Sequence, residues 1–205
     1  MDLISSIVAP GIFGAQMEDV GQPIFLDPGE EALVATAAPK RRREFALGRA
    51  CARTALAALG RDPVSIGRRE NGAPLWPDGI VGSISHTTGH AAALVAKAEH
   101  FSGIGLDAER LGGVTSNLWP RLFDAAERDY LEALEEAECK LTATLFFCAK
   151  EASYKAWGIQ AALPFREIHI SRTQGGFTAT RSGQSLEGRF AVQDDLLLAA
   201  TWRGA

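Results

Sequence analysis

Hydrophobic and polar positions change their period several times along the chain. Over residues 1–35, short apolar runs (Ile4, Ile7, Val8; Pro23, Ile24, Phe25, Leu26) are broken by Gly and Pro, which predicts short strands and loops. From Pro39 the period becomes helical. Phe45, Ala46, Gly48, Ala50, Ala52, Leu56 and Leu59 share this spacing up to Gly60, and Pro39 suits a helix start. GRRENGAPLWPDG (67–79) reads as loop or turn. IVGSISH, AAALVAKA and GIGLDAER then predict three strands, the second fully buried and the third ending in charge. Residues 121–137 predict an amphipathic acidic helix and 140–157 a longer, more apolar one. Beyond Pro164 the strand pattern returns in REIHIS, GFTATR, GRFAVQ and LLLAATW. Helix-with-strands thus occurs twice without a strong sequence repeat. The expected class is α+β, with two similar lobes, 1–102 and 103–205, packed as one unit around a cleft.

Composition narrows the setting. With 205 residues and 46% hydrophobic content, the chain can bury a sizeable core. A net charge of -4 argues against a general nucleic-acid binder. Cys51, Cys139 and Cys148 are odd in number and scattered, as expected for reduced thiols and a cytoplasmic location. The opening MDLISSIVAPG lacks a basic n-region, and its apolar run is too short for a signal peptide or membrane span.

Candidate chemistry concentrates in four places. On a strand, Asp107 and Glu109 point to one face about 7 Å apart. They are either the end of a strand entering a solvated turn or a pair of oxygen ligands for a hard cation such as Mg²⁺. Glu151 and Lys155 lie about 40° apart on a helical wheel, and Lys150 widens that arc to about 140°, opposite Leu145, Ala149, Ala152 and Ala156. The trio is either an ion-paired helix face or a third carboxylate with two lysines for phosphate oxygens. Ser85 and His86 end a strand beside a turn, where hydroxyl and imidazole can reach a phosphate. Zinc at His86 and His90 lacks further ligands, and a serine hydrolase lacks its GxSxG elbow. Finally, Lys40-Arg41-Arg42-Arg43 opens a helix on which Arg41 and Arg49, eight apart, share a face and could grip two phosphates of one ligand. A solubilising helix start and a nucleic-acid patch are the alternatives.

WPDGIVGSISHT, GIGLDAER and FCAKEASYKAW, in that order, resemble the three motifs of the 4′-phosphopantetheinyl transferases, most of all the enterobactin-synthase and surfactin-type group. KRRREFALGRACAR resembles the same group. The matching segments span residues 40–157. The resemblance implies a two-lobed pseudo-dimer with its active site in the cleft. It also implies transfer of the phosphopantetheine arm of coenzyme A to a serine of an apo acyl or peptidyl carrier protein, with release of 3′,5′-ADP. By that likeness Asp107, Glu109 and Glu151 hold Mg²⁺, and Lys150 and Lys155 neutralise the diphosphate, with Lys155 nearest the leaving group. Ser85, His86, Arg41 and Arg49 contact the ligand's phosphates, and Glu151 is also the expected general base. One departure stands out: the basic residue often found between the Gly and Pro of the GxP turn is Ala73 here, with Arg68 and Arg69 just upstream as substitutes. Cys148 fills a slot that is often Ser. The likeness tilts the carrier toward siderophore or other nonribosomal peptide synthesis, with polyketide synthesis next. It implies a monomer and carrier docking on residues 111–137. A non-catalytic module that binds coenzyme A or a nucleotide is the competing reading.

Overall fold

A computed structural model describes residues 3–62, 64–158 and 164–205; Met1 and Asp2 of the opening segment lie outside it. The opening stretch, expected as strands and loops, begins with a short helix instead. Leu3, Ile4 and Ile7 form its buried side, α1 (Leu3–Ile7), ahead of strand β1 (Ile12–Glu18). Asp27 and Glu30 close a capping box on α2 (Pro28–Ala32). The predicted long helix is α3 (Pro39–Ala58), which buries Leu47, Cys51, Ala55 and Leu56. The Gly/Pro-rich stretch, expected as loop, pairs as a small hairpin, β2 (Gly67–Arg68) and β3 (Pro74–Leu75).

The three predicted strands follow as β4 (Ile80–Thr87), β5 (His90–Lys97) and β6 (Phe101–Arg110). The acidic helix expected over 121–137 is two pieces, α4 (Trp119–Leu122) and α5 (Ala125–Glu132). The break falls at Asp124, whose carboxylate caps the backbone of Glu127 while Glu127 answers to the backbone of Asp124. Helix α6 (Glu136–Trp157) is closed by Gly158 in the left-handed region, φ 65°. Strands β7 (His169–Thr173), β8 (Gly176–Arg181), β9 (Gln184–Gln193) and β10 (Leu196–Gly204) complete the fold.

These strands build two main sheets, β1-β5-β4 and β6-β10-β9-β8-β7. Alternation decides what each covers. Ala91, Ala93 and Val95 of β5 face α3, while Ala92, Leu94 and Ala96 face the second sheet, meeting Ile104, Leu106, Ala108, Leu198 and Ala200. The order of layers is helix, sheet, sheet, helix. The chain passes between the sheets once, through residues 98–100, and the expected lobe limit at 102/103 falls inside β6.

Two features place the site. First, α6 lies almost on the backbone of β6. A Cβ on Gly103 would stand 2.0 Å from the Ala156 carbonyl oxygen, and one on Gly105 would stand 1.7 Å from that of Ala152. The next residues on that face are Asp107 and Glu109, so the glycines draw the helix against the strand beside the two carboxylates. Second, β4 and β6 are neighbours without a backbone ladder. Alternate hydroxyls of β4 bridge them instead. Ser83 Oγ accepts from the Leu106 N–H at 3.0 Å, Ser85 Oγ donates to Asp107 at 2.8 Å, and Thr87 Oγ1 donates to Glu109 at 2.7 Å.

Candidate active site

The cleft opens along this seam. A cavity of about 490 Å³ is lined by Arg69, Asn71, Gly72, Ala73 and Pro74 on one side and Tyr154, Lys155 and Gly158 on the other, with Gly82, Ser83 and Ile84 of β4 between them. At its acidic end, Asp107 receives both Ser85 Oγ and Lys155 Nζ, each at 2.8 Å and both on Oδ1. Lys155 also donates to the Leu106 carbonyl at 2.9 Å and stands 4.0 Å from Glu151. Burial pulls the Lys155 ammonium down, and the Asp107 and Glu151 carboxylates more than reverse this, so it stays charged. Burial pushes the Glu151 carboxyl up; Lys155 opposes that and Asp107 adds to it. Glu109 accepts the Arg110 N–H and the Thr87 hydroxyl on the same oxygen, Oε1.

Asp107, Glu109 and Glu151 therefore come from β6 and the helix laid on it, as their spacing predicted. Among the described residues, however, no three of His, Cys, Asp and Glu stand together as a ready ligand set. The positive charge lodged between Asp107 and Glu151 is the Lys155 ammonium. Three hard oxygen donors fit a hard divalent cation in chemistry. Cys148 is wholly buried, and burial first, then Asp107, drives its thiol far above the usual range, which suits a packing residue.

The basic end lies across β4. Adjacent strand residues face opposite ways, so Ser85 turns to β6 while His86 turns to α3. There His86 Nε2 accepts from Arg41 Nη1 at 2.6 Å, and Nδ1 lies 3.7 Å from Glu44 Oε2. Burial lowers the His86 pKa, Glu44 opposes this, and Arg41 adds to it. Arg41, Arg53 and Arg68 all act on Arg49, whose pKa falls to about 10, chiefly through burial, with Glu30 opposing. Glu30, 2.6 Å from Arg53, and Glu44, 3.7 Å from Arg41, offset part of this charge.

Three of the expected phosphate contacts have protein partners in this structure. Lys150 does not face the cleft. It is fully buried, donating to Glu127 Oε2 at 2.5 Å, to the Leu122 carbonyl at 3.0 Å and to the Phe165 carbonyl at 3.2 Å, with Phe123 alongside. The reason is that α6 is covered on both sides, by β6 on one and by the α4–α5 segment on the other. Arg49 spends Nε on the Ile66 carbonyl and one Nη on that of Gly67, and stacks over Phe45 at 4.3 Å. The Ser85 hydroxyl is taken by Asp107. Of the two candidates to replace a base at Ala73, Arg69 lines the cleft, whereas Arg68 sits within electrostatic reach of Arg49. Thr87, Glu44 and Glu127 escaped the sequence reading. The spacing of Ser83, Ser85 and Thr87 carried a signal for the first, and the Asp124-x-x-Glu127 box one for the last.

Two family models divide the chain between them. The 4′-phosphopantetheinyl transferase N-terminal domain matches residues 29–96, and the 4′-phosphopantetheinyl transferase superfamily matches residues 103–201. The 4′-phosphopantetheinyl transferase Npt of Nocardia iowensis is 41% identical over 171 residues, 82% of this chain and 76% of its own. The chain belongs to the 4′-phosphopantetheinyl transferase family. Another transferase of the family, Svp of Streptomyces mobaraensis, is 36% identical over 85% of this chain and 77% of its own. Enterobactin synthase component D of Salmonella typhi is 36% identical over 63% of this chain and 53% of its own.

Proposed function

We propose that this 4′-phosphopantetheinyl transferase takes coenzyme A into the seam between its lobes and moves the phosphopantetheine arm to a carrier-protein serine. The observation that carries this reading is the Asp107–Lys155–Glu151 arrangement at one end of a cleft that Arg69 faces from the opposite wall. Asp107, Glu109 and Glu151 would hold Mg²⁺, which supplies neutralisation of the diphosphate oxygens. Lys155 meets the charge that grows on the leaving phosphate. Arg41 and His86 bind the 3′-phosphate of the adenosine, with Arg49 and Arg68 adding positive potential behind them, and Arg69 faces the ligand from the hairpin wall. Glu151 accepts the serine proton, and its raised pKa suits that role. The serine oxygen bonds to the β-phosphorus as the bond from that phosphorus to the bridging oxygen breaks, and 3′,5′-ADP leaves.

The carrier is one of nonribosomal peptide, siderophore or polyketide synthesis. It docks over residues 111–137, where Leu118 and Tyr130 are exposed. The enzyme works as a cytoplasmic monomer. Among the described residues no helix is long and apolar enough to cross a membrane. Incubation with coenzyme A, Mg²⁺ and a panel of apo carriers should add about 340 Da to a carrier, read by mass spectrometry. Tight coenzyme A binding with no mass shift on any carrier would overturn the reading in favour of a binding module.

The metal assignment has a separate readout. Because Glu151 holds its proton more tightly folded than unfolded, its contribution to stability is present below the ordinary carboxylate range. That contribution is lost as pH rises through the raised value. A divalent cation relieves the cost only when the carboxylates are ionised. Millimolar Mg²⁺ is expected to raise Tm by a few degrees near pH 7.5 and by less near pH 5, read by scanning calorimetry. An equal shift at both pH values would count against these ligands.

A further inference from the structure

The strand β4 does more than border the cleft. Thr87 is nearly buried, and its Oγ1 donates to Glu109 Oε1 at 2.7 Å. The Arg110 N–H reaches that same oxygen at 2.7 Å. Both donors land on Oε1, and Oε2 takes no hydrogen bond among the described residues. Two residues back along each strand the pattern repeats, with Ser85 and Lys155 both on Oδ1 of Asp107. A glutamate has three rotatable side-chain bonds, and two donors on a single oxygen fix the carboxylate's direction while leaving the other oxygen to act. Thr87 suits such a clamp. It is β-branched and stiff at χ1, and its backbone is pinned opposite His90 in the β4–β5 ladder.

We infer that Thr87 is a positioning residue, whose hydroxyl holds Glu109 by one oxygen and so fixes the direction of the carboxylate that would hold the divalent cation. This rests on the magnesium reading above. It also assigns a role to the seam: hydroxyls contributed by the N-terminal lobe orient carboxylates contributed by the C-terminal lobe. Partners of this kind behind metal ligands affect metal affinity by about 10–100-fold.

The test compares the full-length protein with Thr87→Val, which keeps the shape and removes the donor, and Thr87→Ser, which keeps the donor. Mn²⁺ binding is followed by electron paramagnetic resonance in the presence of 3′,5′-ADP, and coenzyme A binding by calorimetry without metal. Thr87→Val is expected to weaken Mn²⁺ binding by about 10–100-fold and raise the Mg²⁺ concentration needed for half-maximal transfer by a similar factor. Metal-free coenzyme A binding should stay at the wild-type value, and Thr87→Ser should recover the metal affinity. If the hydroxyl acts through Glu109, Thr87→Val adds no further loss in a Glu109→Gln background. Thr87→Ala carries the same comparison if valine disturbs the seam. Wild-type Mn²⁺ affinity in Thr87→Val, or no recovery in Thr87→Ser, would overturn the inference. A wild-type protein that binds no Mn²⁺ but still modifies carriers would overturn the metal reading and this inference with it, leaving the transfer reaction standing. Failure of the carrier assay would strike the reaction itself.

Discussion

Asp107→Ala is expected to lower kcat/KM for carrier modification by about 10³-fold or more, with little loss of stability. Asp107 is where three dependencies meet. It takes the Ser85 hydroxyl, it takes the Lys155 ammonium, and its charge helps push the Glu151 carboxyl up. Removing it costs a cation ligand and frees Lys155 to swing toward Glu151, 4.0 Å away. The same change relieves repulsion between two carboxylates, so the folded state loses the bonds from Ser85 and Lys155 but sheds an electrostatic cost, and Glu151 stays within reach of the ammonium. Paired measurements of transfer rate and thermal unfolding check this. Full activity in the variant would remove Asp107 from the metal site, and a large drop in Tm would show that its role is structural.

Glu127→Ala is expected to destabilise the fold by about 3–5 kcal/mol, among the largest single losses available outside the apolar core. Lys150 is fully buried, and Glu127 is the one carboxylate at hydrogen-bond distance from it among the described residues. Burial lowers the Lys150 pKa and Glu127 holds it up. Without Glu127 the ammonium must lose its proton or carry an uncompensated charge, and the Asp124 and Ile170 N–H groups lose an acceptor as well. Replacing both partners, Glu127→Leu with Lys150→Met, should recover most of the loss, because two apolar side chains do not carry the desolvation cost of the ions. Urea denaturation of the two single variants and the double variant measures this. Additive losses in the double variant would mean that the two residues act independently. Activity follows a different course. Lys150 precedes Glu151 on α6, and a loosened α4–α5 cover affects transfer through helix position, whereas direct phosphate contact would show first in coenzyme A affinity.

The sequence disclosed what depends on period and local chemistry. Alternation in GIGLDAER put Asp107 and Glu109 on one face, and the two glycines of that run became legible as contacts only once α6 was laid across them. Capping by Asp124 broke a helix that the acidic pattern had drawn as continuous, although the Asp-x-x-Glu box was visible. Lys150, expected at a phosphate, lies buried against Glu127 for a clear reason. A helical wheel assigns a charged residue to solvent when one side of the helix is assumed to be free, and nothing in the 146–157 segment announces the second cover. Arg49 and Ser85 were found as polar groups near the site, but their partners, two backbone carbonyls and Asp107, come from distant parts of the chain. Pairings of that kind follow from tertiary packing and leave no local signature. The β4 hydroxyls sit between these cases. Their i, i+2, i+4 spacing was readable, but their targets were not.

The hydroxyl-bridged seam has a consequence for how the protein is made. Synthesis proceeds from the N-terminus, so β4 is finished before β6 exists, and the face that β6 will cover first meets water with Ser83, Ser85 and Thr87 aligned on it. Apolar surface exposed on a half-built chain invites aggregation. Three hydroxyls in place of apolar side chains make that stretch of β4 wettable during the interval, and the short connection through residues 98–100 keeps the interval brief. The side chains that later orient two carboxylates would thus first keep a half-built protein from sticking to its neighbours.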